Sequence, residues 1–431
     1  MNYQQAIQYL YDALPMFQRI GKSAFKKDLT NTLSFCAHLQ NPQNTFATVH
    51  VAGTNGKGSS AHSIAAILQA AGYKTGLYTS PHLKSFTERI RINGHPIDEE
   101  SVIRFVQNHK DFMESLKPSF FETTVAMAFD YFRQEQVDIA VIEVGMGGRL
   151  DSTNVIQPLL SLITHISMDH TDFLGDTLEK IAVEKAGIIK QKTPVIIGEK
   201  QTATVNVFTE IAQRRQASLS FASDDYQVSI ARVIDGKYTV NVEKEGQLVF
   251  GDLALSLGAH YQLKNLPGIL KSVDILIEKG FNITAENIRY ALGAVSELTS
   301  LKGRWQILSK KPLIICDTGH NKGAFEEIGL QLRHIHYRKL YVVLGVNEEK
   351  EPQHLLPFLP PDAYYLFCQA DIPRAMPVDT LAKLALESGF QGEVHTSVSK
   401  AYQKAKALAQ ADDCIFVGGS TFVVAEIEDL S

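Results

Sequence analysis

A glycine-rich segment near the N-terminus contains the residue types that bind phosphate. It reads Gly53-Thr54-Asn55-Gly56-Lys57-Gly58-Ser59-Ser60 and lies between a β-branched run and an Ala- and Leu-rich run with helical spacing. Glycines allow a tight turn whose N–H groups converge, and a helix N-terminus attracts anions. Lys57 adds a cation that reaches phosphate oxygens, and the Ser59 or Ser60 hydroxyl can bind a metal ion. The sequence therefore predicts a nucleotide phosphate site.

This segment departs from the eight-residue phosphate-loop pattern in two ways. Val51 occupies the position of the first glycine, and Gly58 separates the lysine from the serine. A glycine-rich helix cap without a ligand is the alternative interpretation. The lysine and hydroxyl between a strand and a helix favour nucleotide binding.

A carboxylate and a histidine follow two other predicted strands. Glu143 ends the apolar run 137–145, and His170 comes shortly after the run Leu159–Ile166. Continuous apolar runs are typical of parallel strands buried on both faces, and ligands gather at the carboxyl ends of such strands. We predict that Glu143 and His170 are metal ligands. A buried salt bridge for Glu143 and a structural role for His170 are the alternatives.

The elements that must position these residues indicate an α/β protein with two domains. Residues 1–297 predict a phosphate-loop ATPase domain with a parallel central sheet and, within 218–256, a small antiparallel sheet with a hairpin around Asp235-Gly236. The N-terminal part reads as helical, with breaks at Pro15 and at Gly21-Lys22. Residues 303–431 alternate strands with helices and predict a C-terminal Rossmann-like α/β domain. The segment Ser80–Gly94 is polar and without clear period, so we expect a surface loop that faces the substrate.

Composition limits the partners. The chain has 431 residues, 45% of them hydrophobic, and a formal net charge of −5. It lacks the basic run that nucleic acid requires and an apolar run long enough for a membrane span. Its four cysteines form no paired motif, which favours reduced thiols in a cytoplasmic protein.

Motifs spread over nearly the whole chain resemble the folylpolyglutamate synthase family, the folate-directed branch of the Mur ligases. The motifs, in chain order, are Gly53 to Ser59, Thr79-Ser80-Pro81-His82-Leu83 with Glu88-Arg89-Ile90, Glu143 to Asp151, Asp169-His170-Thr171, Glu184 to Ile188, Gly303-Arg304, Asp317 to Asn321, and Gly419-Ser420. Two segments depart from the family pattern. Lys322 replaces a proline after Asn321, and Asn347 to Glu351 replaces an Asp-Lys-Asp signature, so no role is assigned to that segment.

The resemblance implies an ATP- and Mg²⁺-dependent ligase that joins L-glutamate to the γ-carboxylate of a folate through an acyl phosphate. Dihydropteroate is a further possible acceptor, and a monomer is expected. The implied catalytic residues are Lys57, Lys185, Arg304 and His320, with Lys185 carbamylated. The implied nucleotide-binding residues are Gly53, Thr54, Asn55, Gly56, Lys57, Gly58, Ser59, Gln262, Asn265, Arg304 and Asp317. The implied magnesium ligands are Ser80, Glu143 and His170, and the implied substrate-binding residues are His82, Phe86, Arg89 and Ser420. A ligase for a UDP-muramyl cell-wall precursor and a nucleotide-binding protein without ligase chemistry remain the alternatives.

Overall fold

A computed structural model describes residues 1–14, 28–234 and 236–430 of the chain. The predicted breaks at Pro15 and Gly21-Lys22, and Asp235 of the predicted hairpin, lie outside the described residues. The chain divides into two compact units. The first comprises Met1–Ser256 and Gln262–Leu301, and the second comprises Leu257–Tyr261 and Lys302–Ser431. None of the described helices is both long and apolar enough to cross a membrane.

The first unit contains an eight-stranded sheet in which β1 is central. Its strands are β1 (Ala47–Ala52), β2 (Thr75–Tyr78), β3 (Ile90–Ile92), β4 (His95–Pro96), β5 (Ile139–Glu143), β6 (Leu160–Ile163), β7 (Val195–Ile197) and β8 (Leu219–Phe221). The order is β4-β3-β2-β5-β1-β6-β7-β8. Six neighbouring strands of the sheet are parallel, namely β2, β5, β1, β6, β7 and β8. At one edge, β3 pairs antiparallel with β2, and β4 pairs antiparallel with β3. The predicted parallel central sheet is confirmed, and its parallel strands bring their carboxyl ends to one edge.

Helices cover this sheet. They are α1 (Tyr3–Ala13), α2 (Thr30–His38), α3 (Lys57–Ala70), α4 (Glu99–Leu116), α5 (Phe120–Gln134), α6 (Thr171–Leu174), α7 (Leu178–Lys185), α8 (Val205–Arg214), α9 (Ala222–Asp225), α10 (Gln262–Glu278), α11 (Ala285–Gly293) and α12 (Val295–Thr299). Helix α3, which follows the glycine-rich segment, is buried from Gly58 to Leu68 because α10, α11 and α12 pack around it. A helix buried on all sides holds its N-terminus in a fixed place, as a phosphate site requires.

The predicted small antiparallel sheet is also confirmed. It has three strands, β9 (Tyr226–Ile234), β10 (Lys237–Lys244) and β11 (Gln247–Ala254), in the order β11-β10-β9. The alternating pattern of β10 places Tyr238, Val240 and Val242 on a buried face. Leu219–Phe221, which the sequence assigned to this region, instead extends the large sheet as β8.

The expectation of a polar surface loop over Ser80–Gly94 is wrong for much of its length. Phe86–Arg89 forms a 3₁₀ turn, and β3 pairs with β2. Phe86, Arg89 and Arg91 are at most 4% exposed. The mixed polarity hid this strand because its arginine, Arg91, and the preceding Arg89 are buried, a rare arrangement for charged side chains.

The second unit has a six-stranded sheet. Its strands are β12 (Gln306–Lys310), β13 (Leu313–Asp317), β14 (Leu340–Leu344), β15 (Tyr364–Cys368), β16 (Gly392–His395) and β17 (Cys414–Gly418), in the order β12-β13-β17-β14-β15-β16. Its helices are α13 (Lys322–His334), α14 (Val378–Glu387), α15 (Val398–Leu408) and α16 (Thr421–Ala425). All strands except β12 are parallel, so the predicted C-terminal α/β fold is confirmed. The sequence did not predict β12, an antiparallel edge strand.

Candidate active site

The glycine-rich segment forms the turn between β1 and α3. Its shape depends on glycine at two positions. Gly53 has φ +144°, and a Cβ there would lie 1.9 Å from Thr164 Oγ1. Gly56 caps α3 with φ +87°, and a Cβ there would lie 2.2 Å from Asn265 Oδ1. A residue with a Cβ at either position would therefore adopt a strained backbone conformation and would have to displace the neighbouring side chain.

The residues that follow β6 hold this turn in place. Thr164 Oγ1 donates a hydrogen bond to Asn55 O at 2.6 Å, and Thr54 N donates to His165 O at 2.6 Å. The Thr54 hydroxyl donates to Ser167 O at 3.1 Å, and the Asn55 amide donates to Ser167 Oγ at 3.2 Å. The turn is therefore shaped by the neighbouring strand, and the N-terminus of α3 has no side-chain cap.

Two lysines donate to the same carbonyl oxygen of the turn. Lys57 Nζ lies 3.1 Å from Gly53 O and 3.1 Å from Thr54 O, and Lys185 Nζ lies 2.7 Å from Gly53 O. Lys185 is 4% exposed, and burial lowers its pKa to about 7, with the Lys57 charge as a further cause. The structure thus brings Lys185 from the end of α7 to the glycine-rich turn. Two cations this close repel each other unless an anion binds or one of them loses its charge.

Ser80 and Glu143 lie together at the carboxyl ends of β2 and β5. Glu143 is 4% exposed, and its Oε2 accepts a hydrogen bond from Ser80 N at 3.2 Å. A serine hydroxyl and a carboxylate are oxygen ligands of the kind that Mg²⁺ prefers. His170 lies directly before α6 in a left-handed conformation and is half-buried. Among the described residues, no three His, Cys, Asp or Glu side chains form a metal-binding group. A magnesium site at Glu143 and His170 would therefore need the Ser80 hydroxyl as a further ligand.

A buried arginine and aromatic rings surround His82. Arg89 Nε donates to His82 Nδ1 at 2.8 Å, and its guanidinium lies 5.2 Å from the centre of the Phe120 ring. The Phe86 and Phe120 rings are 5.9 Å apart, and Tyr11 Oη lies 3.5 Å from His82 Nε2. Burial, and then the Arg89 charge, hold the pKa of His82 well below its usual range. The arrangement places a neutral imidazole beside a desolvated cation and two buried aromatic rings.

Gln262 and Asn265 contact the glycine-rich turn Gly53–Gly56, which we call the phosphate turn, and helix α3. The Gln262 amide donates to Ser59 Oγ at 3.0 Å, and Asn265 donates to Gln262 Oε1 at 2.9 Å. Both residues lie in the first turn of α10 and are at most 9% exposed. The structure therefore places them against α3 and Gly56.

In the second unit, Asp317 ends β13 and is 2% exposed. Its carboxylate accepts hydrogen bonds from Tyr261 Oη at 2.7 Å, from Trp305 N at 2.8 Å and from Gly319 N at 2.7 Å. Burial raises the pKa of Asp317, although the Arg304 charge opposes that shift. Arg304 and Asp317 are thus neighbours within this unit.

Two other predicted residues of the second unit lie at neighbouring turns. His320 Nδ1 lies 3.1 Å from Thr318 O, just after β13. Ser420 follows β17, which pairs with β13, and its hydroxyl accepts from Val423 N at 3.2 Å to cap α16. These residues share the carboxyl edge of the sheet, and their functional roles stay predictions.

Sequence reasoning missed three residues that shape these sites. Thr164 supports the phosphate turn, Tyr261 donates to Asp317, and Tyr11 faces His82. Thr164 directly follows β6, so the rule that ligands gather at the carboxyl ends of strands could have indicated it. Tyr261 and Tyr11 carry no such signal because their contacts depend on tertiary packing.

Comparison with known proteins identifies the family. Residues 51–266 match the Mur ligase middle domain, and residues 303–421 match the Mur ligase glutamate ligase domain. The chain is 31% identical to the folylpolyglutamate synthase of Lacticaseibacillus casei, over 99% of this chain and 98% of that protein. A probable bifunctional folylpolyglutamate synthase/dihydropteroate synthase of Haloferax volcanii is 32% identical over 99% of this chain, which spans 50% of that longer protein.

The structure of Escherichia coli FolC in complex with DHPP and ADP is similar over 99% of this chain and 96% of that one. The TM-score is 0.86 and the sequence identity 27%. The likeness extends over both units of the chain rather than over the phosphate turn alone. The chain therefore belongs to the Mur ligase family, in its folylpolyglutamate synthase/dihydrofolate synthase branch.

Proposed function

We propose that this protein is an ATP-dependent ligase that joins L-glutamate to the γ-carboxylate of a reduced folate. The observation that carries the proposal is the phosphate turn, where Lys57 and Lys185 converge on the Gly53 carbonyl. Relatives named as folylpolyglutamate synthases, similar over nearly the whole chain, support the substrate class. They also support C–N bond formation as the reaction.

The reaction takes two steps. A carboxylate oxygen of the folate attacks the γ-phosphorus of ATP, the bond to the ADP oxygen breaks, and an acyl phosphate forms. The glutamate amine then attacks the acyl carbon, phosphate leaves and the nitrogen loses a proton. Lys57 and the N–H groups at the start of α3 hold the nucleotide phosphates and stabilise the charge on the transferred group. Ser80, Glu143 and His170 would hold Mg²⁺, which would supply neutralisation of the phosphate charge.

The cluster of His82, Phe86 and Arg89 binds the folate acceptor. Arg89 is buried against His82 and the Phe120 ring, and its guanidinium charge attracts an anion. Folates combine flat aromatic rings with carboxylates. The buried cation therefore supports an anionic acceptor of this kind.

Lys185 carries a carbamate in the active enzyme. Its pKa of about 7 supplies the neutral amine that CO₂ requires. The amine nitrogen bonds to the CO₂ carbon, a proton is released, and the cation becomes an anion. The product also relieves the repulsion between the two lysines and supplies a carboxylate to orient the magnesium ligands. Replacing Lys185 with Ala and adding acetate tests this role, because a carbamate requirement predicts partial rescue and a bare amine predicts none.

Four residues of the second unit take the roles that the family resemblance implies. Arg304 contacts a phosphate, Asp317 and His320 contact the ribose and the reacting groups, and Ser420 contacts a substrate. Gln262 and Asn265 contact the nucleotide from the first unit.

We also infer functional domains at 1–297 and 303–431, and a monomer. Four buried cysteines without disulfides support a reducing cytoplasmic compartment.

One assay tests the function. ADP release is measured with L-glutamate and tetrahydrofolate, with L-glutamate and dihydropteroate, and with a UDP-muramyl substrate and its amino acid. The proposal predicts turnover with tetrahydrofolate and none with the muramyl substrate. Turnover with dihydropteroate would add dihydrofolate synthase activity. The name of the E. coli relative, dihydrofolate synthase/folylpolyglutamate synthase, supports this second activity. ATP binding without turnover on any acceptor would contradict the proposal.

A further inference from the structure

The side chain of Asn154 connects the two segments that determine the position of Lys185. Asn154 lies in the 3₁₀ turn Ser152–Val155 and is 9% exposed. Its Nδ2 donates to Arg149 O at 3.1 Å and to Gly187 O at 3.0 Å. The first carbonyl belongs to the glycine-rich segment after β5, and the second lies two residues after Lys185. One amide group therefore joins both segments.

The two segments also touch through their backbones. Arg149 N donates to Glu184 O at 2.8 Å. A Cβ on Gly148 would lie 2.8 Å from Lys185 O, and a Cβ on Gly187 would lie 2.3 Å from Arg149 Cα. The segment that contains Arg149 and the segment that contains Lys185 are therefore closely packed. A shift of the first segment would displace the backbone of Lys185.

The chemistry of this position requires an amide. Both N–H groups of Asn154 are used, whereas Asn154 Oδ1 is buried and has no hydrogen-bond partner among the described residues. Leaving an acceptor buried and unpaired is unfavourable, so a residue with that cost calls for an explanation. Leu has a similar size but no donor, Asp lacks both donors when ionised, and Ser has only one. Among the uncharged side chains of this size, only an amide offers two N–H donors to two facing carbonyls.

We propose that Asn154 is a positioning residue for the ligase reaction. It holds Lys185 at the Gly53 carbonyl, beside the phosphate turn, by joining the segment after β5 to the turn after α7. This inference rests on the proposed function, because that function assigns Lys185 its role. Asn154 acts through the position of Lys185.

The test compares Asn154→Leu with Ser161→Ala. Ser161 is buried, and its hydroxyl donates to Ile188 O at 2.9 Å, the next carbonyl of the same turn. Both variants remove a buried side-chain donor that binds a carbonyl of this turn. Only Asn154→Leu also removes the hydrogen bond to Arg149 O and with it the side-chain connection between the two segments. Asn154→Ser, which keeps one donor, replaces Asn154→Leu if that variant does not fold.

Two readouts are needed, both at a temperature where circular dichroism shows every variant folded. The first is kcat with the Michaelis constant for ATP. We expect Asn154→Leu to lower kcat by about 10²-fold, the typical effect of misplacing a catalytic group by about 1 Å. Ser161→Ala should keep kcat. The second is the pH dependence of Lys185 labelling by an amine-reactive reagent, measured by mass spectrometry, which does not require activity.

The outcomes separate the two proposals. A shifted labelling midpoint in Asn154→Leu, with an unchanged midpoint in Ser161→Ala, supports the positioning role. Equal stability losses in both variants, with kcat and the labelling midpoint retained, would show that Asn154 is only structural. A wild-type enzyme without ligase activity refutes the proposed function, whereas the labelling comparison still decides whether Asn154 positions Lys185.

Discussion

Replacing Lys185 with methionine should abolish catalysis and stabilise the protein. The side chain is 4% exposed, and folding lowers its pKa from 10.5 to about 7. Each pKa unit corresponds to about 1.36 kcal/mol, so keeping the charge buried costs the folded state about 5 kcal/mol. Methionine also loses the hydrogen bond to Gly53 O, worth about 1.5–3 kcal/mol for a charged donor. The net gain for Lys185→Met is therefore about 2–3.5 kcal/mol at pH 7 and below.

The pH dependence gives this prediction its sign. Between pH 7 and pH 10.5 the unfolded chain holds a proton on Lys185 that the folded protein has lost, so wild-type stability rises with pH. The cost is complete below pH 7, where both states are protonated, and it disappears as pH approaches 10.5. Lys185→Met should exceed the wild type most at low pH, and the difference should shrink as pH rises.

The assay is urea unfolding followed by circular dichroism at several pH values in CO₂-free buffer, because a carbamate would remove the cation. Lys180→Met is the matched control. Lys180 is on the same helix, is exposed and pairs with Asp176 at 2.7 Å, so its loss should leave the pH slope unchanged. Equal pH slopes for the wild type and Lys185→Met would refute the argument that Lys185 is a buried, partly neutral amine.

Three other substitutions test the remaining parts of the site. Lys57→Ala should fold normally but lower turnover by about 10²–10³-fold, since it removes one preorganised charge; circular dichroism and ADP release measure both effects. Gly56→Ala should raise the Kd for ATP by about tenfold, because of its φ of +87° and the 2.2 Å approach to Asn265 Oδ1. The double variant Gly56→Ala/Asn265→Ala should bind ATP more weakly than Asn265→Ala alone, because removing the Asn265 amide relieves the contact but not the strained φ; equal Kd values for these two variants would contradict the conformational reason. Arg89→Met should raise the Michaelis constant for the folate acceptor by about tenfold or more and leave that for ATP unchanged, and equal changes in both constants would argue against an acceptor site.

Local patterns in the sequence were sufficient for much of this protein. The strand, glycine-rich turn and helix at Gly53–Ser59 are contiguous, so their geometry follows from residue types over a short distance. Buried parallel strands such as Ile139–Glu143 are continuous apolar runs, and their carboxyl ends lie at one edge of a sheet. This reasoning predicted both sheets of the first unit and the C-terminal α/β fold, whereas Ser80 was grouped with Glu143 only through the family resemblance.

Tertiary structure alone decided which distant groups meet. Lys185 donates to a carbonyl 132 positions earlier in the chain, and Asn154 joins segments that no local pattern relates. The strand Ile90–Ile92 escaped prediction because its arginine is buried, and Leu257–Tyr261 belongs to the second unit although it precedes a helix of the first. Such contacts are set by how helices and sheets pack, which depends on the whole chain. Residue types therefore determined the available chemistry. Packing determined that Lys185 is buried and contacts the phosphate turn.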